Sequence, residues 1–194
     1  MKKILSIMLI SFCTGLFAWP AQSSPLLNTL TDGQHVLMIR HADAPGFSDP
    51  SGFKLGDCST QRNLGERGRK QAKELGVWLK KQGIESAVVL SSAWCRCEET
   101  ARLLALGAVT TVPELGSFFQ NMSDSGPQTN ALKALLAKRL KAPAPAKPMI
   151  LVTHQVNISA FTGTSAGQGE LLLVKIDAKG AFVSARSIAT PHSD

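Results

Sequence analysis

The feature that most constrains the fold is an apolar run that ends abruptly in two polar residues. The run over 36–39 predicts a buried strand, and Arg40 and His41 follow it directly. A loop that contains Pro45 and Gly46 comes next. A cation and an imidazole are costly to place at the end of a buried strand unless they have a role there. In an open α/β sheet, this edge is where ligands bind.

Two later strands end in the same way. A short apolar strand over 88–91 is followed by Ser92 and Arg96, and the strand over 149–153 is followed by His154. Each histidine alone is readily explained by a structural role. Because the carboxyl ends of parallel strands share one edge of the sheet, polar residues at the ends of three strands together predict an anion site. Two guanidinium groups can hold the oxygens of a phosphoryl group while one imidazole attacks phosphorus and the other stabilises the transferred group. This chemistry needs no metal and no cofactor.

Helical patterns separate these strands. The apolar spacing predicts helices over 66–82, 98–106 and 129–140, a further helix that begins near 156, and strands over 110–112, 171–176 and 182–188. Residues 24–33 are predicted to be a short lead-in, and 114–127 to be irregular. Strands that alternate with helices predict an α/β fold, a three-layer α/β/α arrangement with a mostly parallel sheet. The length of 194 residues suits one domain.

The N-terminus has the pattern of a secretory signal peptide over 1–23. Lys2 and Lys3 precede an apolar run over 4–19, and a small-x-small site ends at Ser23. We expect cleavage after Ser23, with an uncleaved anchor as the alternative. The remaining 24–194 then form a single domain that is periplasmic or secreted, with no membrane span after signal removal.

The charge balance favours an anionic small-molecule partner over a nucleic acid. The chain has 21 Lys and Arg against 14 Asp and Glu, and loss of Lys2 and Lys3 with the signal leaves a net charge of +5. The charges are scattered, and no basic stripe is interleaved with aromatic residues. We therefore expect a small-molecule or glycan phosphoester substrate and no nucleic-acid partner.

Three cysteines remain after signal removal. Cys95 and Cys97 are too close in sequence to pair comfortably with each other. In an oxidising compartment we expect Cys58 to bond to one of them and the other to stay free. A zinc site is the alternative, but three cysteines without a CxxC pair have poor ligand spacing.

Four segments resemble the landmark segments of the histidine phosphatase superfamily, which has the phosphoglycerate mutase-like fold. They occur in the family's order, over 36–42, 64–72, 90–101 and 152–154. The resemblance implies that His41 is the nucleophile that becomes phosphohistidine. It also implies that Arg40, Arg96 and His154 complete the phosphate pocket.

Details of two segments look like a small exported branch of this superfamily. Residues 57–64 and 94–97 make the chain similar to the lipopolysaccharide core heptose phosphate phosphatase. The branch implies a phosphatase acting on a phosphomonoester, with a sugar phosphate as one candidate. Arg62 lies in the polar run before the first long helix, and we expect it to contact the substrate.

The proton donor is where the sequence departs from the family. The acid phosphatase branch has His-Asp at the last motif, whereas Gln155 follows His154 here, and the mutase-like branch has a Glu where Ser117 aligns. The candidate donors are Glu114, then Asp43, then Asp124.

Without a strong acid, the enzyme would favour substrates with good leaving groups, such as phosphoramidates, acyl phosphates or an anomeric sugar phosphate. Two alternative functions stay open: a pseudophosphatase that binds a phosphorylated ligand without turnover, and a phosphomutase. The lid over the pocket is predicted to be either the 43–58 loop or the 117–126 segment.

Overall fold

A six-stranded sheet forms the centre of the molecule, in the order β3–β2–β4–β1–β5–β6. The computed structural model describes residues 24–141 and 147–191. The predicted signal peptide therefore lies outside the described residues. The strands are β1 (His35–Arg40), β2 (Val88–Ser91), β3 (Val109–Thr111), β4 (Met149–Thr153), β5 (Leu171–Ile176) and β6 (Phe182–Ile188). β1 to β4 are mutually parallel and β5 and β6 are antiparallel additions, so the predicted mostly parallel sheet is confirmed.

Five helices cover the sheet. They are α1 (Pro25–Leu30), α2 (Glu66–Lys81), α3 (Cys95–Leu103), α4 (Ser125–Leu140) and α5 (Gln155–Thr162). In α2 the buried positions Ala72, Leu75 and Leu79 follow the helical period. Gly83, at φ +81°, lies just beyond its end, where a left-handed conformation favours glycine. None of the helices in the described ranges combines the length and hydropathy needed to cross a membrane.

The helices form two layers, one on each face of the sheet, so both faces of the sheet are buried. In β1, Leu37 and Ile39 join a core cluster with residues of α1, α2 and α3. Val36 and Met38 point the other way and join a cluster with residues of α4 and α5. This alternation is the two-residue period of a strand covered on both sides. The predicted three-layer α/β/α architecture is confirmed.

Three helix boundaries differ from the sequence-based expectation. The lead-in contains α1, because Ser24 caps its N-terminus, Pro25 occupies its first turn, and Leu26 and Leu30 are buried. α3 begins three residues earlier than predicted, at Cys95. α4 begins at Ser125 rather than 129, since a proline in the first turn of a helix costs no backbone hydrogen bond.

The sheet register brings the predicted strand ends together. Arg40 pairs with Thr153 across β1 and β4, and the backbone N–H of His41 donates to the Thr153 carbonyl at 2.9 Å. On the other side of β4, the Ser92 N–H donates to Val152 at 3.0 Å. The carboxyl ends of β1, β2 and β4 therefore meet at one edge, from which α3 and α5 begin.

Candidate active site

A cavity of about 660 Å³ opens at this edge of the sheet. Its wall contains five side chains that the sequence singled out and one that it did not: Arg40, His41, Arg62, Arg96, His154 and Asp49. The five come from β1, the loop after it, the start of α3 and the end of β4. Residues more than one hundred positions apart in sequence thus face one space.

His41 is held as a neutral imidazole with one nitrogen free. The side chain is 2% exposed, and its Nδ1–H donates to the Ala42 carbonyl at 2.8 Å. This bond leaves the lone pair on Nε2. Burial, together with the positive charges of Arg96, Arg62 and Arg40, lowers the pKa of His41 to about 3, although the hydrogen bond to Ala42 acts in the opposite direction. A neutral, oriented imidazole is suited to nucleophilic attack.

His154 is oriented by two neighbours. Its Nδ1 lies 3.4 Å from Nη2 of Arg96, and its Nε2 lies 2.8 Å from Oγ of Ser92. Because a guanidinium can only donate, Nδ1 accepts and Nε2 carries the proton that is donated to Ser92. Burial, followed by the charge of Arg96, holds the pKa of His154 well below its usual range. The His41 and His154 rings are 5.6 Å apart between centroids.

Three guanidinium groups lie at the cavity wall. The Nη1 of Arg40 donates to the Ala166 carbonyl at 2.9 Å, and the Nη1 of Arg62 donates to the carbonyl of Ala44. The Nε–H groups of Arg40, Arg62 and Arg96 are buried, and none has a hydrogen-bond partner among the described residues. Buried polar groups are normally satisfied, so three orphaned donors around one cavity indicate an anion site.

Asp49 is the wall residue that the sequence analysis missed. Its Oδ1 accepts from Arg96 Nη1 at 2.7 Å and from the Arg62 backbone N–H at 3.0 Å, and its Oδ2 accepts from Trp94 Nε1 at 3.2 Å. Burial opposes the charge, but these hydrogen bonds and the charge of Arg96 outweigh it and lower the pKa of Asp49. The 43–58 loop was predicted as one of two possible lids, yet nothing in its local sequence distinguishes Asp49 from Asp43 or Asp57.

None of the three predicted proton donors lies at the cavity wall. Glu114 sits in the 3₁₀ turn Pro113–Leu115, where Leu115 takes the buried position, and the chain reaches the wall only at Ser117. The backbone of Asp43 is tied to α2 by a hydrogen bond from its N–H to Gln71 at 3.0 Å. Asp124 is exposed and bonded to Asn121. The identity of the proton donor therefore stays a prediction, with all three candidates outside the cavity wall.

A disulfide joins the loop after β1 to the start of α3. Cys58 is bonded to Cys95, with 5.7 Å between the Cα atoms. Cys97 is free and buried, as expected of the unpaired cysteine, and burial raises the pKa of its thiol to about 12. Its sulfur lies 3.4 Å from Nε2 of His154. The bridge is adjacent to Arg96 in sequence, so it helps to fix where that side chain begins.

The part of the chain that the structure describes contains no group of three or more His, Cys, Asp or Glu side chains placed to hold a metal ion. The chemistry that the wall supports on its own is the binding of an oxyanion by guanidinium groups beside a neutral imidazole nucleophile.

Comparison with known proteins finds a family model that matches part of the chain. The sequence model described as histidine phosphatase superfamily (branch 1) matches residues 36–117. Over 77 residues the chain is 32% identical to the mitochondrial serine/threonine-protein phosphatase Pgam5 of Drosophila willistoni. That segment is 40% of this chain, and the chain spans about a quarter of the relative (24%).

Solved structures share the fold at low sequence identity. The phosphoserine phosphatase of Entamoeba histolytica aligns with a TM-score of 0.58 at 15% identity, over 81% of this chain and 98% of that one. The protein histidine phosphatase SixA, complexed with tungstate, aligns with a TM-score of 0.53 at 20% identity, over 79% and 96%. At these identities the likeness establishes the fold, which is the phosphoglycerate mutase-like arrangement that the sequence predicted.

Proposed function

We propose that the chain is a histidine phosphatase, which hydrolyses a phosphomonoester through a phosphohistidine formed on His41. One observation carries the proposal. Three arginine side chains, Arg40, Arg62 and Arg96, line one cavity together with a neutral imidazole whose Nε2 is free. This combination of cations and a candidate nucleophile supports the proposal.

The reaction proceeds in two displacements. In the first, Nε2 of His41 attacks phosphorus, the N–P bond forms and the P–O ester bond breaks, and the departing alkoxide takes a proton from water to become the alcohol. In the second, water attacks the phosphohistidine and loses a proton to the solvent, and inorganic phosphate leaves as the N–P bond breaks. Arg40, Arg62 and Arg96 offset the charge on the phosphoryl oxygens in both steps. His154, beside His41, faces the same space.

Leaving-group protonation is the weak part of this site. Asp49 is the one carboxylate on the cavity wall among the described residues, and its lowered pKa keeps it ionised. A general acid typically contributes on the order of 10²–10⁴ in rate. The enzyme therefore favours leaving groups that need little protonation, such as those of phosphoramidates, acyl phosphates and anomeric sugar phosphates.

We further propose that the protein acts outside the cytoplasm, in the periplasm or as a secreted enzyme. Two observations support this: the signal-peptide pattern of 1–23 and a disulfide between Cys58 and Cys95. The sequence likeness to the heptose phosphate phosphatase makes an envelope sugar phosphate one candidate substrate.

Rapid-quench mass spectrometry of the protein with acetyl phosphate, without added metal, tests the mechanism. We expect one phosphoryl group to appear on the protein transiently, with inorganic phosphate following. His41→Ala should abolish both, whereas His35→Ala, which removes a histidine paired with Asp32 and absent from the cavity wall, should retain them. Binding without transfer would indicate a pseudophosphatase, and transfer to a second hydroxyl without free phosphate would indicate a phosphomutase.

A further inference from the structure

The mouth of the cavity carries exposed apolar side chains. Six large hydrophobic residues are exposed among the described ones, and three of them line this cavity. Phe47 is 82% exposed, Met122 is 59% exposed and Phe119 is 44% exposed. We call these three residues the apolar lip. Single exposed hydrophobic residues are ordinary, but a cluster at the opening of a binding site marks a contact surface.

The lip is assembled from two distant segments. Phe47 comes from the loop after β1, and Phe119 follows the 3₁₀ turn Pro113–Leu115. The two rings meet edge to face, with centroids 5.5 Å apart and planes at 80°. This contact aligns the rings into one surface but leaves most of Phe47 in water. The segments are also the two that the sequence proposed as alternative lids, and both contribute to the mouth.

Cationic side chains line the same cavity. Arg40, Arg62 and Arg96 all contribute to its wall, while the lip supplies no charge. A volume of about 660 Å³ is that of a site for a whole organic molecule and far exceeds a phosphoryl group. With a phosphoryl group on the arginines, the remaining space, which Phe47 and Phe119 also line, is left for the group beyond the ester oxygen.

Resting on the proposed phosphatase function, we infer that the substrate is a phosphomonoester whose alcohol carries an apolar alkyl or aryl group. Burying that group against the lip removes apolar surface of both partners from water, which is favourable in proportion to the area buried. Gln120 and Ser48 also line the cavity and can hydrogen-bond a polar alcohol, so a polyol phosphate is the competing outcome.

A series of 4-alkylphenyl phosphates isolates the effect of burying an apolar group against the lip. Phenols with different alkyl groups are nearly equal in acidity, so the chemical step stays constant along the series. Release of inorganic phosphate gives kcat/KM for phenyl, 4-ethylphenyl and 4-butylphenyl phosphate. We expect kcat/KM to rise with chain length, by at most about fourfold per methylene. 4-Propylphenyl phosphate should exceed its near-isostere 4-(2-hydroxyethyl)phenyl phosphate.

Variants assign the effect to the lip. Phe47→Ser and Phe119→Ser should each reduce the dependence on chain length. Leu55→Ser is the matched control, because Leu55 lies in the same loop as Phe47 and is 51% exposed but does not line the cavity. It should retain the wild-type dependence.

The outcomes separate the two proposals. Phosphate release with no dependence on chain length, a preference for the hydroxyethyl compound, or an unchanged dependence in Phe47→Ser and Phe119→Ser would overturn the apolar-substrate inference and leave the phosphatase function standing. No release from any compound, including p-nitrophenyl phosphate, would overturn the phosphatase function and the inference with it.

Discussion

The carboxylate of Asp49 lies 2.7 Å from the guanidinium of Arg96, measured from Oδ1 to Nη1, and both side chains are almost fully buried. This pair places one negative charge among the three arginines of the cavity. It leaves Nε of Arg96 buried and without a partner among the described residues. The pair also ties the loop after β1 to α3.

Asp49→Ala should destabilise the protein by about 3 kcal/mol, because removing one partner of a buried ion pair leaves the other charge uncompensated. Inorganic phosphate should then raise the melting temperature of the variant more than that of the wild type, since phosphate supplies the missing anion to Arg96. Thermal unfolding with and without phosphate measures both effects. Asp124→Ala, at an exposed aspartate outside the cavity, is the control. Equal phosphate shifts in Asp49→Ala and wild type would contradict this account.

The free energy of unfolding should fall as pH decreases below about 6.5. His41 and His154 have lowered pKa values in the folded protein, to about 3 for His41, so the unfolded chain binds protons in a range where the folded protein does not. Each group then contributes a slope of up to about 1.4 kcal/mol per pH unit between pH 6.5 and its folded pKa. Asp49, with its lowered pKa, adds a further loss below about pH 4.

Urea unfolding at pH 7, 6, 5 and 4 measures this slope. His41→Asn should give a shallower dependence than wild type, because it removes one of the two buried histidines. A variant with the same slope as wild type would show that His41 is not the group responsible.

Loss of the disulfide should cost about 2–4 kcal/mol of stability, the usual range for a bridge that closes a loop of this length. The double substitution of Cys58 and Cys95 by Ser removes a link across 37 residues. We also expect a higher KM. Cys95 directly precedes Arg96, and Cys58 ends the 43–58 loop, which contains Phe47 and Asp49. Adding dithiothreitol should reproduce both effects in wild type and do nothing to the double variant. An effect of dithiothreitol on that variant would point to another cysteine.

Gly76→Ala should destabilise the fold by about 1–3 kcal/mol. A Cβ at this position of α2 would lie 2.3 Å from the carbonyl oxygen of Leu104. The contact is with backbone, which moves aside only at a large energetic cost. Gly126→Ala is the matched change in α4, where a Cβ would meet nothing within 4 Å, and it should be neutral or stabilising by up to about 1 kcal/mol. Chemical denaturation measures the free energy of unfolding of both variants. Equal changes in the two would refute the close approach of α2 to Leu104.

Much of the frame was predictable from local patterns. The strands over 149–153 and 171–176 match the structure to the residue, because apolar runs bounded by turns record burial directly. The strand over 182–188 also matches, although most of its residues are not buried. The same logic placed polar residues at the ends of β1, β2 and β4, and parallel pairing then required them to meet. Helix starts were less predictable. α3 begins at Cys95, which is buried against residues of a distant loop, and the local periodicity of the sequence does not encode such a contact.

The sequence by itself determined the layered α/β fold and the edge where Arg40, His41, Arg96 and His154 converge, since strand direction and order of elements leave few other arrangements. Only the tertiary structure decided which loop residues join them. Asp49 reaches Arg96 across 47 positions, Phe47 meets Phe119, and Glu114 stays away from the wall. Loop conformation depends on such long-range contacts rather than on neighbours in sequence, and the mouth of the cavity is built almost entirely from loops.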